Sequence, residues 1–220
     1  LTVLGWCSAA GDQSPHLMYR KAAEERMLKE RRLTRLQEIG RRITAAVMDT
    51  VDIARVGIRT EAAFSHTTAD LQLPPRKILP REYEDSKKVV AEFSALKNPD
   101  NRMLATLERE KAVISRFEEG DKLPPVTIEL HVLRIGDVAI ATNPFELYLD
   151  YGVQMKARSP AEQTFLIQLA AGSAQYLPTP KAIEGGSYSA LPVSNRVGPE
   201  GGQVLVDETV QAIRRLWPAP

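Results

Sequence analysis

One feature constrains the fold most strongly: an alternating run of residues that turns back on itself in the second half of the chain. Residues 126–134 alternate apolar and polar side chains, which is typical of a strand with one buried face. The turn Ile135-Gly136-Asp137 follows, and the apolar run 138–142 comes directly after it. Two such runs around a short glycine turn predict a β-hairpin.

Further strands and helices are predicted on both sides of this hairpin. Apolar positions spaced three and four residues apart predict helices over residues 19–55, 81–96, 101–118, 145–158 and 204–217. In the first of these helices, one stripe of apolar residues is predicted to be buried: Leu36, Ile39, Ile43, Val47 and Val51. The second and third helices could form a helical hairpin. Apolar or extended patterns predict strands over residues 1–6, 59–73 and 164–170. The expected fold class is therefore α/β, a mixed sheet with helices packed against it, whose strands include residues 1–6, 126–134, 138–142 and 164–170.

The composition is that of a globular protein. Of 220 residues, 43% are hydrophobic and 26% are charged, and the formal net charge is +1. This charge favours neither nucleic acid nor an anionic membrane as a general partner. The single cysteine, Cys7, excludes an intrachain disulfide and is interpreted as a small buried apolar residue. A core strand at the very start, with Leu1 as first residue, predicts an incomplete domain of a longer chain.

Polar side chains follow three of the predicted strands. Ser14 comes after the first strand, Glu146 after the run 138–142, and Tyr176 after the run 164–170. Open α/β sheets bind ligands at such strand ends. Each residue also has a structural interpretation: Ser14 bonds its own turn, Glu146 favours the helix dipole, and Tyr176 packs its ring. The stretch 172–203 has no periodic pattern and is predicted to be a long functional loop.

The histidines and the basic helix face are interpreted structurally. His131 alternates with apolar neighbours on a predicted strand, and His66 is too isolated to interpret. No two histidines are spaced as in a helical metal site. The basic residues between 31 and 42 are interleaved with glutamates, which predicts a solvated helix face rather than a nucleic-acid surface.

Several short motifs, in this order, resemble those of the neutral ceramidases and their bacterial relatives. Residues 11–15 read Gly-Asp-Gln-Ser-Pro, residues 136–140 read Gly-Asp-Val-Ala-Ile, and residues 143–146 read Asn-Pro-Phe-Glu. Residues 176–179 read Tyr-Leu-Pro-Thr, and residues 183–188 read Ile-Glu-Gly-Gly-Ser-Tyr. His16 stands where the family has asparagine, and the residues before Glu146 also differ. The sequence looks closer to shorter ceramidase-like bacterial proteins than to the ceramidases themselves.

The resemblance implies the C-terminal part, residues 1–220, of a single zinc-dependent catalytic domain that hydrolyses an amide. It implies Glu146 and Tyr176 as two zinc ligands, with two histidine ligands expected upstream of this chain. It also implies Ser14 as a serine near the metal, proposed in the family as nucleophile, and Tyr188 as a contact of the reacting amide oxygen. The chain alone is expected to bind zinc weakly or not at all, because catalytic sites usually need three protein ligands.

The resemblance also implies a substrate and a location. An N-acyl lipid or another amide is the expected substrate, the rest of the parent chain is an expected partner, and peripheral membrane contact is possible. The family is secreted or periplasmic. Two alternatives remain open at this point: a related hydrolase of another amide or ester, and a non-catalytic binding or structural module that keeps the fold.

Overall fold

The computed structural model describes residues 3–217, which divide into two compact units. The sheet unit comprises the described residues up to Gln13 and from Ala63 onward, and the helical unit comprises Ser14–Ala62. The strands are β1 (Phe64–Leu73), β2 (Val126–Ile135), β3 (Val138–Thr142), β4 (Glu146–Leu147), β5 (Gln163–Ile167) and β6 (Tyr176–Leu177). The helices are α1 (Lys21–Arg31), α2 (Arg35–Val56), α3 (Pro80–Ser94), α4 (Asn101–Glu119), α5 (Leu149–Arg158), α6 (Pro180–Gly185) and α7 (Pro199–Leu216). The expected α/β class is confirmed.

A mixed four-stranded sheet organises the sheet unit. Its order is β1-β2-β3-β5, with antiparallel pairing along the first three strands and parallel pairing of β3 with β5. The predicted hairpin is confirmed: Ile135 pairs with Val138, and Gly136 adopts a φ of 59° in the turn. Glycine is the residue that adopts this left-handed conformation most easily. β4 and β6 form a separate two-stranded parallel sheet.

Helices α5 and α7 pack on one face of the four-stranded sheet and complete the apolar core. Leu205 and Ile213 of α7 are fully buried. A Cβ at Gly202 would lie 2.4 Å from the Tyr151 ring, so glycine permits the close approach of α7 to α5. The closing helix begins at Pro199, five residues before the predicted start. Its first turn is rich in glycine and lacks the apolar spacing on which the prediction was based. The remainder of stretch 172–203 contains β6, α6 and two 3₁₀ turns, Tyr188–Ala190 and Pro192–Ser194.

The helical hairpin of α3 and α4 is confirmed. The Tyr83 and Phe117 rings stack with centroids 4.3 Å apart, and the Ser86 hydroxyl donates to the Glu110 carboxylate at 2.6 Å. Their bounds agree with the predicted ones to within two residues at each end. Among residues 3–217, no helix combines the length and the apolar content that a membrane crossing requires.

The strand predicted over residues 1–6 is wrong for residues 3–6, and residues 1 and 2 lie outside the described part. Val3 and Leu4 are 66% and 68% exposed and pair with no strand. Trp6 and Cys7 lie beside the β5 edge: the Trp6 ring contacts Phe165, and Gln168, the residue after β5, donates from N to Cys7 O and from Nε2 to Cys7 Sγ. An apolar run alone does not distinguish a paired strand from a segment beside a sheet edge. Cys7 is exposed, not buried as predicted.

The helical unit contains two helices where the sequence predicts one over residues 19–55. Arg32 ends α1 with a φ of 54°, and Thr34 begins α2 with a capping box that includes Gln37. A capping box satisfies backbone donors that only a helix start leaves free. The apolar stripe of α2 is predicted to be buried, yet Leu36 and Ile43 are 79% and 62% exposed.

Candidate functional site

The short parallel sheet of β4 and β6 brings Glu146 and Tyr176 together. The two residues are direct register partners, and Glu146 N donates to Gln175 O at 2.9 Å. The Glu146 carboxylate also influences the Tyr176 hydroxyl, since its interaction with the phenol raises the pKa of Tyr176. The sequence predicts Glu146 within a helix, which is wrong: α5 begins only at Leu149, so Glu146 does not act on a helix dipole.

Tyr188 joins this pair from the first residue of a 3₁₀ turn. Its hydroxyl lies 3.0 Å from the Tyr176 hydroxyl, and the two rings meet edge to face with centroids 5.8 Å apart. The Tyr188 side chain is 70% exposed and therefore accessible to a ligand. The structure thus brings together Glu146, Tyr176 and Tyr188 from three separate segments of the sheet unit.

The hydrogen bonds of this cluster change the acidity of Tyr176. They raise its pKa well above the ordinary value, first because of the interaction of the phenol with the Glu146 carboxylate. The contact with Tyr188 and partial burial act in the same direction. A tyrosine of ordinary pKa is already protonated at neutral pH, and these interactions oppose ionisation of Tyr176 further.

The loop that carries the Gly-Asp-Gln-Ser-Pro motif is fastened to β4 by its first residues. Gly11 N donates to Leu147 O at 2.7 Å, and a Cβ at Gly11 would lie 2.2 Å from the Glu146 carbonyl oxygen. Asp12 accepts a hydrogen bond from Leu149 N at 2.9 Å, at the start of α5. Only glycine fits this close approach, so Gly11 and Asp12 align the motif with the strand that presents Glu146.

Gln168 is a positioning residue that the sequence analysis missed. Its side-chain oxygen accepts hydrogen bonds from Ala10 N at 3.1 Å and from Leu147 N at 3.0 Å. It is 8% exposed. One buried amide therefore joins the motif loop to β4, and the only signal in the sequence was a polar side chain inside the apolar run predicted as a strand over residues 164–170.

Ser14 is the first residue of the helical unit, and its contacts are local. Its hydroxyl lies 2.7 Å from His16 Nδ1 and accepts a hydrogen bond from His16 N at 3.2 Å. The hydrogen bond from His16 N is the bond to its own turn that the structural interpretation of Ser14 predicts. Its convergence with Glu146, Tyr176 and Tyr188 stays a prediction.

The two expected metal donors touch, but they do not form a complete site. Within residues 3–217, no group of three or more histidine, cysteine, aspartate or glutamate side chains is arranged to hold a metal. Glu146 and Tyr176 are adjacent oxygen donors on paired strands, which fits two ligands of one ion. Zinc also accepts a carboxylate oxygen in known sites.

The other two histidines form a pair elsewhere in the sheet unit. His66 Nε2 lies 3.0 Å from His131 Nδ1 across β1 and β2, and the rings stack with centroids 5.2 Å apart. The Glu129 carboxylate contacts His131 Nε2. His66 thus has a defined partner, which its isolation in the sequence did not suggest, and His131 keeps its structural interpretation.

Comparison with known proteins shows similarity to ceramidases at the level of solved structures. No protein-family model and no curated protein matches this sequence. A structure described as ceramidase complexed with C2 is 22% identical, covering 44% of this chain and 17% of that chain, with a TM-score of 0.35. A neutral ceramidase from Pseudomonas aeruginosa is 15% identical over 72% of this chain and 29% of that chain, with a TM-score of 0.42. The chain thus spans less than a third of the length of these structures.

Proposed function

We propose that the chain is part of a ceramidase-like, zinc-dependent hydrolase that cleaves an N-acyl linkage. The observation that supports this most directly is the contact among Glu146, Tyr176 and Tyr188 in the sheet unit. The motif resemblance assigns a role in one site to each of the three. Their meeting from separate segments is expected if they serve one site.

The roles follow from the chemistry of these side chains. Glu146 and Tyr176 would hold the metal together with ligands from outside this chain, and Tyr176 would have to lose its proton to do so. Bound zinc supplies a polarised amide carbonyl and a water of lowered pKa. Tyr188 is exposed and would donate its phenolic proton in a hydrogen bond to the oxyanion that develops on the carbonyl oxygen.

Ser14 completes the proposed reaction. Its hydroxyl either attacks the carbonyl carbon and passes its proton to His16, whose Nδ1 is 2.7 Å away, or orients the attacking water. The C–N bond breaks, the amine leaves with one proton, and water supplies the oxygen of the product carboxylate. We propose an N-acyl lipid as substrate, presented at a membrane surface to a secreted or periplasmic enzyme.

The test compares substitutions in the complete natural protein. Glu146→Gln and Ser14→Ala are both expected to lower turnover of N-acyl substrates by several orders of magnitude. Glu146→Gln should also lower zinc content, whereas Ser14→Ala should leave the metal in place. Tyr188→Phe should cost about 100-fold to 1000-fold, as for one oxyanion donor.

Matched controls separate this proposal from a structural role. Glu162→Gln makes the same change at an exposed glutamate outside the cluster and should leave turnover and zinc unchanged. If Ser14→Ala retains near-wild-type turnover, Ser14 serves only its turn. If no variant of the cluster affects hydrolysis or zinc content, the chain is a binding or structural module instead.

A further inference from the structure

A cleft with a volume of about 340 Å³ lies in the sheet unit, and its lining includes none of Glu146, Tyr176 and Tyr188. One part of its wall is apolar and another is cationic. Three cationic side chains and one carboxylate, Asp121, are among its lining residues. The apolar part includes Pro75, Phe117 and Leu123, and the cationic part comprises Arg76, Lys77 and Arg116.

Arg76 is held rigidly in the wall of this cleft. Its side chain is 1% exposed, and it donates to Ala190 O at 2.6 Å and to the Glu82 carboxylate at 2.5 Å. It also contacts the side-chain oxygen of Asn195. Only one of these three partners carries a negative charge, so the guanidinium keeps most of its hydrogen bonds to neutral acceptors.

Arg116 adds a second guanidinium from α4. It donates to Pro192 O at 2.9 Å, again a neutral acceptor. Burial, followed by repulsion from Arg76 and Arg196, lowers the pKa of Arg116 to about 10. Positive charge therefore exceeds negative charge around Arg116, and Glu82 is the one carboxylate that opposes this repulsion there.

Hydrogen-bonding capacity also remains on both guanidinium groups. Arg76 Nε and Arg116 Nη2 are buried and have no hydrogen-bond partner among the described residues. A buried donor without an acceptor is costly. An anion that approached both side chains would relieve this cost as well as the charge repulsion.

From this geometry we infer that the cleft binds an oxyanion, a carboxylate or a phosphate monoester, attached to an apolar chain. Arg116 and Lys77 would pair with the charged head, because guanidinium groups match planar oxyanions well. Pro75, Phe117 and Leu123 would contact the apolar chain. The cleft volume lies within the range of small-molecule sites. This inference does not depend on the proposed hydrolase activity.

The experiment titrates the protein with four probes and follows binding by calorimetry and amide chemical shifts. Octanoate carries both features, octyl glucoside carries the apolar chain alone, and inorganic phosphate carries the charge alone; octyl phosphate distinguishes the two head groups. Octanoate or octyl phosphate should bind with a Kd on the order of 1 mM, given their few heavy atoms. The two single-feature probes should bind at least about tenfold more weakly.

Two substitutions locate the binding. Arg116→Gln should weaken octanoate binding about tenfold or more, because a charged hydrogen-bond partner is lost. Lys77→Glu changes an exposed residue and should weaken binding without loss of fold. Arg102→Gln is the matched control: it removes an exposed arginine from α4, about 21 Å along the helix axis from Arg116.

The outcomes decide the proposal directly. Loss of affinity in both cleft variants, with the control unchanged, supports an anion-specific amphiphile site. Equal affinity for octyl glucoside would overturn the role of the arginines, and equal affinity for inorganic phosphate would overturn the role of the apolar wall. Unchanged octanoate binding in Arg116→Gln and Lys77→Glu would place the ligand elsewhere.

Discussion

The sheet unit and the helical unit bury charge in opposite ways. In the sheet unit, Arg76 is buried beside a large apolar core and is bound mostly by neutral oxygen atoms. In the helical unit, every residue of which is described, Glu38 is the one buried residue, and Arg31, Arg41 and Arg42 all bind its carboxylate. In the sheet unit the buried charge of Arg76 lies beside an apolar core, whereas in the helical unit the buried charge of Glu38 is itself the centre of the packing.

This difference predicts how each unit responds to substitutions and to solvent. The sheet unit buries many apolar side chains, and its stability should depend on packing. The helical unit buries none of the apolar side chains of α1 or α2, and most helical stability in proteins comes from packing of an apolar face. Its order should therefore depend on ionisation and salt. Four predictions test this contrast, from the largest expected effect to the smallest.

The largest effect is expected at Arg76. Arg76→Met should reduce the free energy of unfolding of the sheet unit by about 3–5 kcal/mol, because the Glu82 carboxylate and two neutral acceptors lose their buried donor. Chemical denaturation measures this change. Arg81→Met, at an exposed arginine of α3, is the control and should change stability by less than about 0.5 kcal/mol. Equal effects would mean that Arg76 is not structural.

The apolar core should give the next largest effect. Leu205 of α7 is 0% exposed, so Leu205→Ala removes packed methyl groups and leaves a cavity. The expected loss is about 3 kcal/mol of unfolding free energy. A loss below about 1 kcal/mol, measured by the same denaturation, would contradict a packed interface between α7 and the sheet.

The helical unit should respond to acid. Hydrogen bonds from Arg41 and then Arg42 hold the pKa of Glu38 well below its ordinary value. Because the folded-state pKa is lower than the unfolded one, the stabilisation is complete above about pH 4.3 and is lost as the pH falls below it. Amide chemical shifts of α1 and α2 should therefore change below that pH before those of α7 change.

Two comparisons check that Glu38 is responsible. Glu38→Gln should weaken α1 and α2 at neutral pH and remove their acid transition, whereas Glu25→Gln, at an exposed glutamate of α1, should do neither. High salt should reduce the contribution of the ion pairs, since Arg31, Arg41 and Arg42 are about half exposed. An acid transition that persists in Glu38→Gln would assign it to another group.

The sequence predicted the elements whose pattern is long enough to be periodic. The hairpin of β2 and β3, and the pair α3 and α4, follow from residues close together in the chain. By contrast, β4 and β6 have two residues each, too few for any periodicity, and they exist because distant segments pair. The resemblance nevertheless named Glu146, Tyr176 and Tyr188, which the structure brings into contact.

The predictions that were wrong, and the residue that was not predicted, have a common physical cause. Apolar spacing in α2 predicted a buried stripe, and an apolar run predicted a strand before Cys7, but a pattern gives the character of a surface and not its partner. Gln168 was missed for the same reason, since its hydrogen bonds join residues that are distant in sequence. Tertiary contacts decide such positions.

The smallest effect is expected on the apolar stripe of α2. Leu36 is 79% exposed, so Leu36→Ala removes little packed surface and introduces the residue with the highest helix propensity. The free energy of unfolding should change by less than about 0.5 kcal/mol, against about 3 kcal/mol for Leu205→Ala. The same leucine-to-alanine change thus compares the two units directly by chemical denaturation. A loss of more than about 1.5 kcal/mol at Leu36 would show that this stripe is packed in solution, and the contrast between an apolar and an ionic unit would then fail.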